Sequence, residues 1–203
     1  KPDGTMPMVN DSVGGYPMAA GELLAAGAVR YERPDWKAMV EAAETGAIEW
    51  LFGGEGLESW ASLDCVSPQE ASRAFFDAGY YVIRSDRGSE ADYLFVDCGP
   101  IGPDHQPGHA HADTLNVIVS VGGEPLLVDP AVSTYRAGPD RRRERSTAAH
   151  NTVEVDGVDS SEMWAEFRVG RRATARLEVW EPGRLVAGSH DGYRHLPGSV
   201  RHR

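Results

Sequence analysis

Two histidines two positions apart begin the part of the sequence whose residue types could do chemistry. His109 and His111 lie in the run HAHAD, which leads into an apolar stretch at 115–119. Side chains two positions apart on a strand point to the same face, so we expect both imidazoles on one side of a strand. The small residues around them leave room for a ligand. The pair therefore indicates half of a metal site built from nitrogen and oxygen ligands.

Two further candidate ligands follow downstream. Asp129 ends an apolar run just before Pro130, and His150 lies in the run STAAHNT at 146–152. Two or three imidazoles and a carboxylate form a ligand set that zinc accepts. Taken alone, Asp129 is either a turn residue before a proline or a ligand. A cupin-like iron site also fits the residue types, although cupins have a shorter gap between the histidine pair and the acid.

The charge distribution restricts the partners of the chain. The formal net charge of −11 disfavours nucleic acid and anionic membranes, and no stretch approaches the ~20 apolar residues of a membrane span. We therefore expect no nucleic-acid partner and no membrane insertion. Basic residues are nevertheless concentrated in one stretch, comprising Arg136, Arg141, Arg142, Arg143 and Arg145. This stretch is either a solvated loop with interleaved acids or a local site for an anionic ligand.

The elements that must position these residues fall into two regions. Helical spacing of apolar residues predicts helices at 18–31, 36–43 and 48–52, the last ended by the glycine-rich run 53–56. Short strand-like segments separated by turn signals follow, at 74–76, 80–84, 93–97, 115–121, 125–128, 152–155, 173–180 and 184–189. We predict an α+β chain with helices in residues 1–65 and an antiparallel β-sandwich in 66–203. Cys65 and Cys98 form either one disulfide or two free thiols.

Three motifs in this order resemble the heparinase II/III-like family of polysaccharide lyases. They are GHAHAD at 108–113, GEPLLVDP at 123–130 and RSTAAHNTV at 145–153. The runs GTMPM at 4–8, NDS at 10–12 and VDGVDSSE at 155–162 are also similar to that family. The resemblance implies that residues 1–65 are the last helices of an incomplete α/α toroid, that 66–203 begin the β-sandwich domain, and that the chain is a fragment of a longer protein.

The resemblance also implies a reaction and roles for individual residues. The family cleaves uronic-acid-containing polysaccharides by β-elimination, so an anionic polysaccharide or oligosaccharide is the expected substrate. His111, Asp129 and His150 match the zinc ligands, and His109 matches a catalytic histidine of the cleft. Asp113 or backbone carbonyls are expected to orient the imidazoles. The family's catalytic tyrosine and its asparagine or histidine are expected upstream of Lys1.

Several expectations remain open at this stage. The zinc ion is either a structural clip, which we favour, or an open catalytic site. Tyr135, Arg141 and Arg145 are predicted to contact the anionic chain, because guanidinium groups match carboxylate and sulfate geometry. Trp164, Phe167 and Trp180 either stack on sugar rings or belong to the core. A catalytically inactive, metal-stabilised carbohydrate-binding module is the alternative to an enzyme. The family favours a periplasmic or secreted protein, and a cytoplasmic one stays open.

Overall fold

The described residues form two compact units. The computed structural model describes residues 1–13, 20–40, 44–68 and 71–203. The first unit contains Gly15–Ala71 together with Lys1 and Asp3–Met6, and the second contains Ser72–Arg203 together with Pro2 and Pro7–Gly14. The division falls a few residues after the predicted boundary. Pro7–Gly14, which the sequence places in the helical region, belongs to the second unit.

The first unit is helical. Its elements are α1 (Ala20–Tyr31), α2 (Pro34–Lys37) and α3 (Gly46–Ser62). Pro34 stands in the first turn of α2, where its fixed φ suits a helix start. The prediction that glycines end the third helix is wrong, because α3 continues beyond a kink at Gly53, whose φ is 63°. Residues 18–19 and 41–43 of the predicted helices lie outside the described residues, and the toroid remains a prediction.

No helix in the described part of the chain is both long enough and apolar enough to cross a membrane.

The second unit contains two antiparallel sheets. The larger sheet has the strand order β1 (Arg73–Phe75), β2 (Tyr80–Arg84), β3 (Tyr93–Asp97), β4 (Val117–Val121) and β5 (Glu124–Leu127). The smaller sheet pairs β6 (Ala175–Glu181) with β7 (Leu185–His190). Because neighbouring strands are consecutive in the chain, short turns suffice to connect most of them. The antiparallel sheet predicted for this region is confirmed.

Each face of the larger sheet packs against a different part of the second unit. On one face, Tyr81 and Val96 form a core with residues of the β6–β7 sheet such as Leu177. On the opposite face, a second core consists of Tyr93, Phe95 and Ile118, with Tyr80, Val82 and Val9 packed against it. This alternation follows the period of two along each strand. The contact of Val9 holds its neighbours Asn10 and Asp11 close to the sheet.

Two predictions about strands are wrong. The histidine pair does not lie on a strand, because Pro107–His109 forms a 3-10 turn and His111 follows in irregular backbone. The segment 152–155 forms no strand either, and its only β contact is an isolated bridge between Val155 and Val158. Irregular backbone therefore carries the candidate site, as is common for functional residues on a rigid scaffold.

The structure also tests one predicted hairpin turn and the state of the two cysteines. Gly122 and Gly123 connect β4 and β5 with φ values of 56° and 82°, as the hairpin signal predicts. Cys65 and Cys98 are free thiols, the first exposed and the second buried.

Candidate active site

Three buried side chains form a cluster suited to a cation. His111, Asp113 and His150 each offer one ligand atom, and these atoms lie within 4.8 Å of one another. His111 Nδ1, Asp113 Oδ2 and His150 Nε2 have no hydrogen-bond partner among the described residues. Buried polar atoms in proteins are nearly always paired. Three unpaired atoms on the residues of one cluster therefore fit a bound metal ion.

Carboxylates orient both imidazoles of this cluster. His111 Nε2 lies 2.9 Å from Asp11 Oδ1, and His150 Nδ1 lies 2.7 Å from Asp129 Oδ2. Since a carboxylate accepts, each of these ring nitrogens carries the proton, and the unpaired nitrogen of each ring carries the lone pair. Metal-binding histidines are commonly held in this way.

The hydrogen bonds of the two acids differ from the expected arrangement. Asp129, predicted as a ligand, accepts from Asn116 Nδ2 at 2.6 Å and from the Ala131 amide at 2.9 Å in addition to His150. Asp113, expected to orient the imidazoles, carries the unpaired oxygen instead. The structure thus brings His111 and His150 together as predicted and adds Asp113 to them.

Burial and close charges shift the pKa values of the acids in and around this cluster. Burial raises the pKa of Asp113 to about 6. Burial also raises the pKa of Asp97 well above its ordinary value, and the charge of Asp113 adds to this effect. Burial alone would raise the pKa of Asp129, but hydrogen bonding and charge from His150 outweigh it and lower that pKa. The site is therefore rich in buried carboxyl groups that a cation would stabilise.

The pKa values of the two imidazoles in the cluster are shifted in opposite directions. Burial lowers the pKa of His111, and its hydrogen bond to Asp11 only partly offsets this. Burial also acts to lower the pKa of His150, but the hydrogen bond to Asp129 and the nearby carboxylates reverse the direction and raise it.

His109 lies at the exposed edge of the same site. Its side chain is 64% exposed, and its Nδ1 lies 2.6 Å from Asp11 Oδ2. The rings of Tyr135 and Phe167 contact it edge-on, with centroid distances of 6.0 and 6.3 Å. These two rings are nearly parallel to each other, 6.4 Å apart, and both are exposed. Together they form an accessible aromatic surface next to an imidazole.

The structure does not place the two predicted substrate-binding arginines on this surface. Arg141 is buried, with its Nη2 2.6 Å from Asp11 Oδ2 and its Cζ 4.6 Å from the ring centre of Phe167. Arg145 is also buried, and its guanidinium donates to the carbonyl oxygens of Ala110 and Ala165 at 2.8–2.9 Å. In contrast to the prediction, both guanidinium groups therefore lie inside the protein and bind groups of the site itself: Arg141 binds the Asp11 carboxylate, and Arg145 binds backbone carbonyls. Tyr135, the third predicted contact, is exposed.

Asp11 is the principal site residue that the sequence reasoning missed. It lies 100 positions from His111, so no local spacing rule relates the two. The run NDS at 10–12 was the only available signal, and it indicated the family without indicating a role.

A family model matches the larger part of the chain. The model described as "Heparinase II/III-like, C-terminal" matches residues 67–203. The chain belongs to the heparinase II/III-like family. This membership leaves the cupin-like alternative without support. None of the curated proteins matches the chain significantly.

Solved structures agree with this assignment at the level of the fold. A structure of heparinase III superposes with a TM-score of 0.66 and 20% identity, covering 94% of this chain and 27% of that one. The heparan sulfate lyase HepC from Pedobacter heparinus superposes with a TM-score of 0.61 and 22% identity, covering 95% and 26%. The chain thus spans about a quarter of the length of these solved structures.

Proposed function

We propose that the protein containing this chain is a polysaccharide lyase that cleaves a uronic-acid-containing polysaccharide by β-elimination. The observation that supports this most is the exposed imidazole of His109, which a buried carboxylate holds beside an aromatic surface in a member of the heparinase II/III-like family. The related heparan sulfate lyase HepC makes a sulfated, uronate-containing polymer the first substrate class to test.

The chemistry assigns a proton transfer to His109. Its Nε2 accepts the proton from C5 of the uronate, and the C–H electron pair forms the C4–C5 double bond as the C4–O4 bond breaks. O4 leaves with the electron pair and takes a proton from a second group, for which the catalytic tyrosine of the family is the candidate. No water is consumed. Tyr135 and Phe167 offer flat apolar faces on which a sugar ring can stack.

We further propose that the buried cluster binds zinc. His111 Nδ1, His150 Nε2 and Asp113 Oδ2 are its candidate ligands, because these atoms are unpaired and buried. Zinc bound there would supply positive charge to the buried carboxylates and would join two loop segments, that of His111 and Asp113 and that of His150. Asp129 would then act as the hydrogen-bond partner of His150, instead of the direct ligand predicted from the sequence.

Metal content of variants tests the ligand assignment. We expect His150→Ala and Asp113→Ala to lose bound zinc, because each removes a ligand atom. Asp129→Asn removes only a charged hydrogen-bond partner, so we expect zinc affinity to fall by about 10- to 100-fold without loss of the site. Zinc content by elemental analysis and affinity by chelator competition measure this. A larger loss in Asp129→Asn than in Asp113→Ala would show that Asp129 is the direct ligand.

Activity of the full-length protein tests the proposed function. We expect ultraviolet absorbance from unsaturated uronate to rise when the protein is mixed with heparan sulfate or another uronate polymer. His109→Gln should lower the rate by about 100-fold or more with zinc content unchanged, because it removes the proton acceptor. Polymer binding without any absorbance increase would favour the inactive carbohydrate-binding module instead.

A further inference from the structure

The carboxylate of Asp11 joins the exposed and the buried parts of the site. Its side chain is only 6% exposed. Each of its two carboxylate oxygens accepts hydrogen bonds from two donors. Oδ1 accepts from His111 Nε2 at 2.9 Å and from Arg141 Nη1, and Oδ2 accepts from His109 Nδ1 at 2.6 Å and from Arg141 Nη2 at 2.6 Å. One buried carboxylate therefore contacts the proposed catalytic histidine and a proposed metal ligand at the same time.

The backbone around Asp11 is fixed to the second unit on both sides. The hydroxyl of Tyr135 donates to the Asp11 carbonyl at 3.0 Å, and the Val132 amide donates to the Ser12 carbonyl at 3.2 Å. The side-chain oxygen of Asn10 accepts from the His111 amide at 3.3 Å. The carboxylate thus has little freedom to move away from the histidines.

This arrangement determines which nitrogen of His109 is available. Because an ionised carboxylate accepts only, His109 Nδ1 carries the proton and Nε2 carries the lone pair. Nδ1 is occupied by Asp11, while the ring as a whole is largely exposed, so Nε2 is the nitrogen left for a ligand.

We infer that Asp11 is a positioning residue that fixes His109 in the tautomer with a free Nε2 and couples it to the metal cluster through His111. In the elimination, Nε2 takes the C5 proton, and the resulting imidazolium keeps its Nδ1–H bond to the Asp11 carboxylate, which stabilises the new positive charge. This catalytic part of the inference rests on the proposed function, whereas the tautomer does not.

Arg141 alone would satisfy the charge of Asp11, since its guanidinium contacts both carboxylate oxygens. A carboxylate with a purely structural role has no need of an additional bond to an exposed imidazole. The hydrogen bond from His109 to Asp11 therefore supports a positioning role for Asp11 in addition to its ion pair with Arg141.

The first test measures the tautomer of His109 and needs no activity. Nitrogen NMR of the zinc-free full-length protein with isotope-labelled histidine, with the signal assigned by its loss in His109→Gln, distinguishes Nδ1–H from Nε2–H. We expect Nδ1–H in the natural protein and Nε2–H, the tautomer favoured in water, in Asp11→Ala. A natural protein with His109 in the Nε2–H form overturns the inference, even if Asp11→Ala does not fold.

The second test is a double-mutant cycle on the lyase reaction at saturating zinc. We expect Asp11→Ala to lower kcat by about 100-fold with little change in KM, and to have almost no further effect in a His109→Gln background. Additive losses would overturn the inference, because they would mean that Asp11 acts independently of His109. If the full-length protein has no lyase activity, the proposed function fails, while the tautomer measurement still decides the role of Asp11.

Discussion

His109 and His111 differ in environment although only one residue separates them. Both donate to the same carboxylate, but His111 is fully buried and His109 is mostly exposed. A buried imidazole with an unpaired nitrogen suits metal binding, whereas an exposed imidazole with a free Nε2 suits proton transfer to a ligand. Asp11 thus contacts two histidines in different environments, one exposed and one buried.

The sequence predicts some of these residues and not others for a physical reason. His111 and His150 were identifiable from residue type and motif. The hydrogen bonding of Asp129 and the unpaired oxygen of Asp113 were not, because they depend on which carboxylate receives the donors of Asn116 and Ala131 in the folded chain. The Asn116 donor lies 13 positions from Asp129, so local spacing gives no signal for this hydrogen bond.

A pair of arginine variants tests the structural role of the buried arginines. We expect Arg145→Met to lower the free energy of unfolding by about 2 kcal/mol, because it leaves the buried Ala110 carbonyl without a donor and removes one donor from the half-buried Ala165 carbonyl. Arg143→Met should change it by less than about 0.5 kcal/mol, since Arg143 is 73% exposed and its nearest acid, Asp140, is 3.8 Å away. Urea unfolding of both variants measures the difference. Equal effects would contradict the internal role of Arg145.

Strands were easier to predict than the segments between them. The bounds of β2 and β3 match the sequence prediction, because aromatic and β-branched residues alternate there between two packed faces. The segment 152–155 has similar composition but forms no strand. Side chains hold this region instead. The side-chain amide of Asn151 donates to the Val117 and Val128 carbonyls, and the Tyr193 hydroxyl donates to the Val153 carbonyl. Strand propensity could not reveal these partners.

The end of β7 makes stability sensitive to pH through His190. Burial lowers the pKa of His190 from its ordinary 6.5 to about 4, and the nearby His202 adds to the shift. Its Nδ1 accepts from the Gly192 amide at 3.1 Å, and protonation would break that bond. Between pH 6.5 and 4 the unfolded chain therefore binds a proton that the folded chain does not.

The expected result follows from this sign. The contribution of neutral His190 to stability is complete above pH 6.5 and is lost as the pH falls toward 4. Urea unfolding at about pH 7 and about pH 5 should show a smaller loss of unfolding free energy in His190→Gln than in the natural protein. His105→Gln, at an exposed position, should behave like the natural protein. An equal loss in His190→Gln would contradict this account.

At the scale of the whole molecule, net charge bears on which ligands can bind, and packing decides which residues meet at the site. A net charge of −11 opposes binding of an anionic polymer in general, so local groups must provide the affinity. Composition and turn signals predicted the mixed helical and antiparallel β organisation. They could not predict that Pro7–Gly14 joins the sheet unit, because that depends on packing of Val9 against distant strands. This packing brings Asp11 to the histidines.

The most direct measurement of the central claim is the identity of the reaction products. Digestion of a uronate polymer by the full-length protein in water labelled with heavy oxygen, followed by mass spectrometry, separates elimination from hydrolysis. We predict unsaturated products, each cleavage taking up no water and no label, and loss of these products in His109→Gln. Saturated products that carry the label would contradict the proposal that this site is that of a lyase.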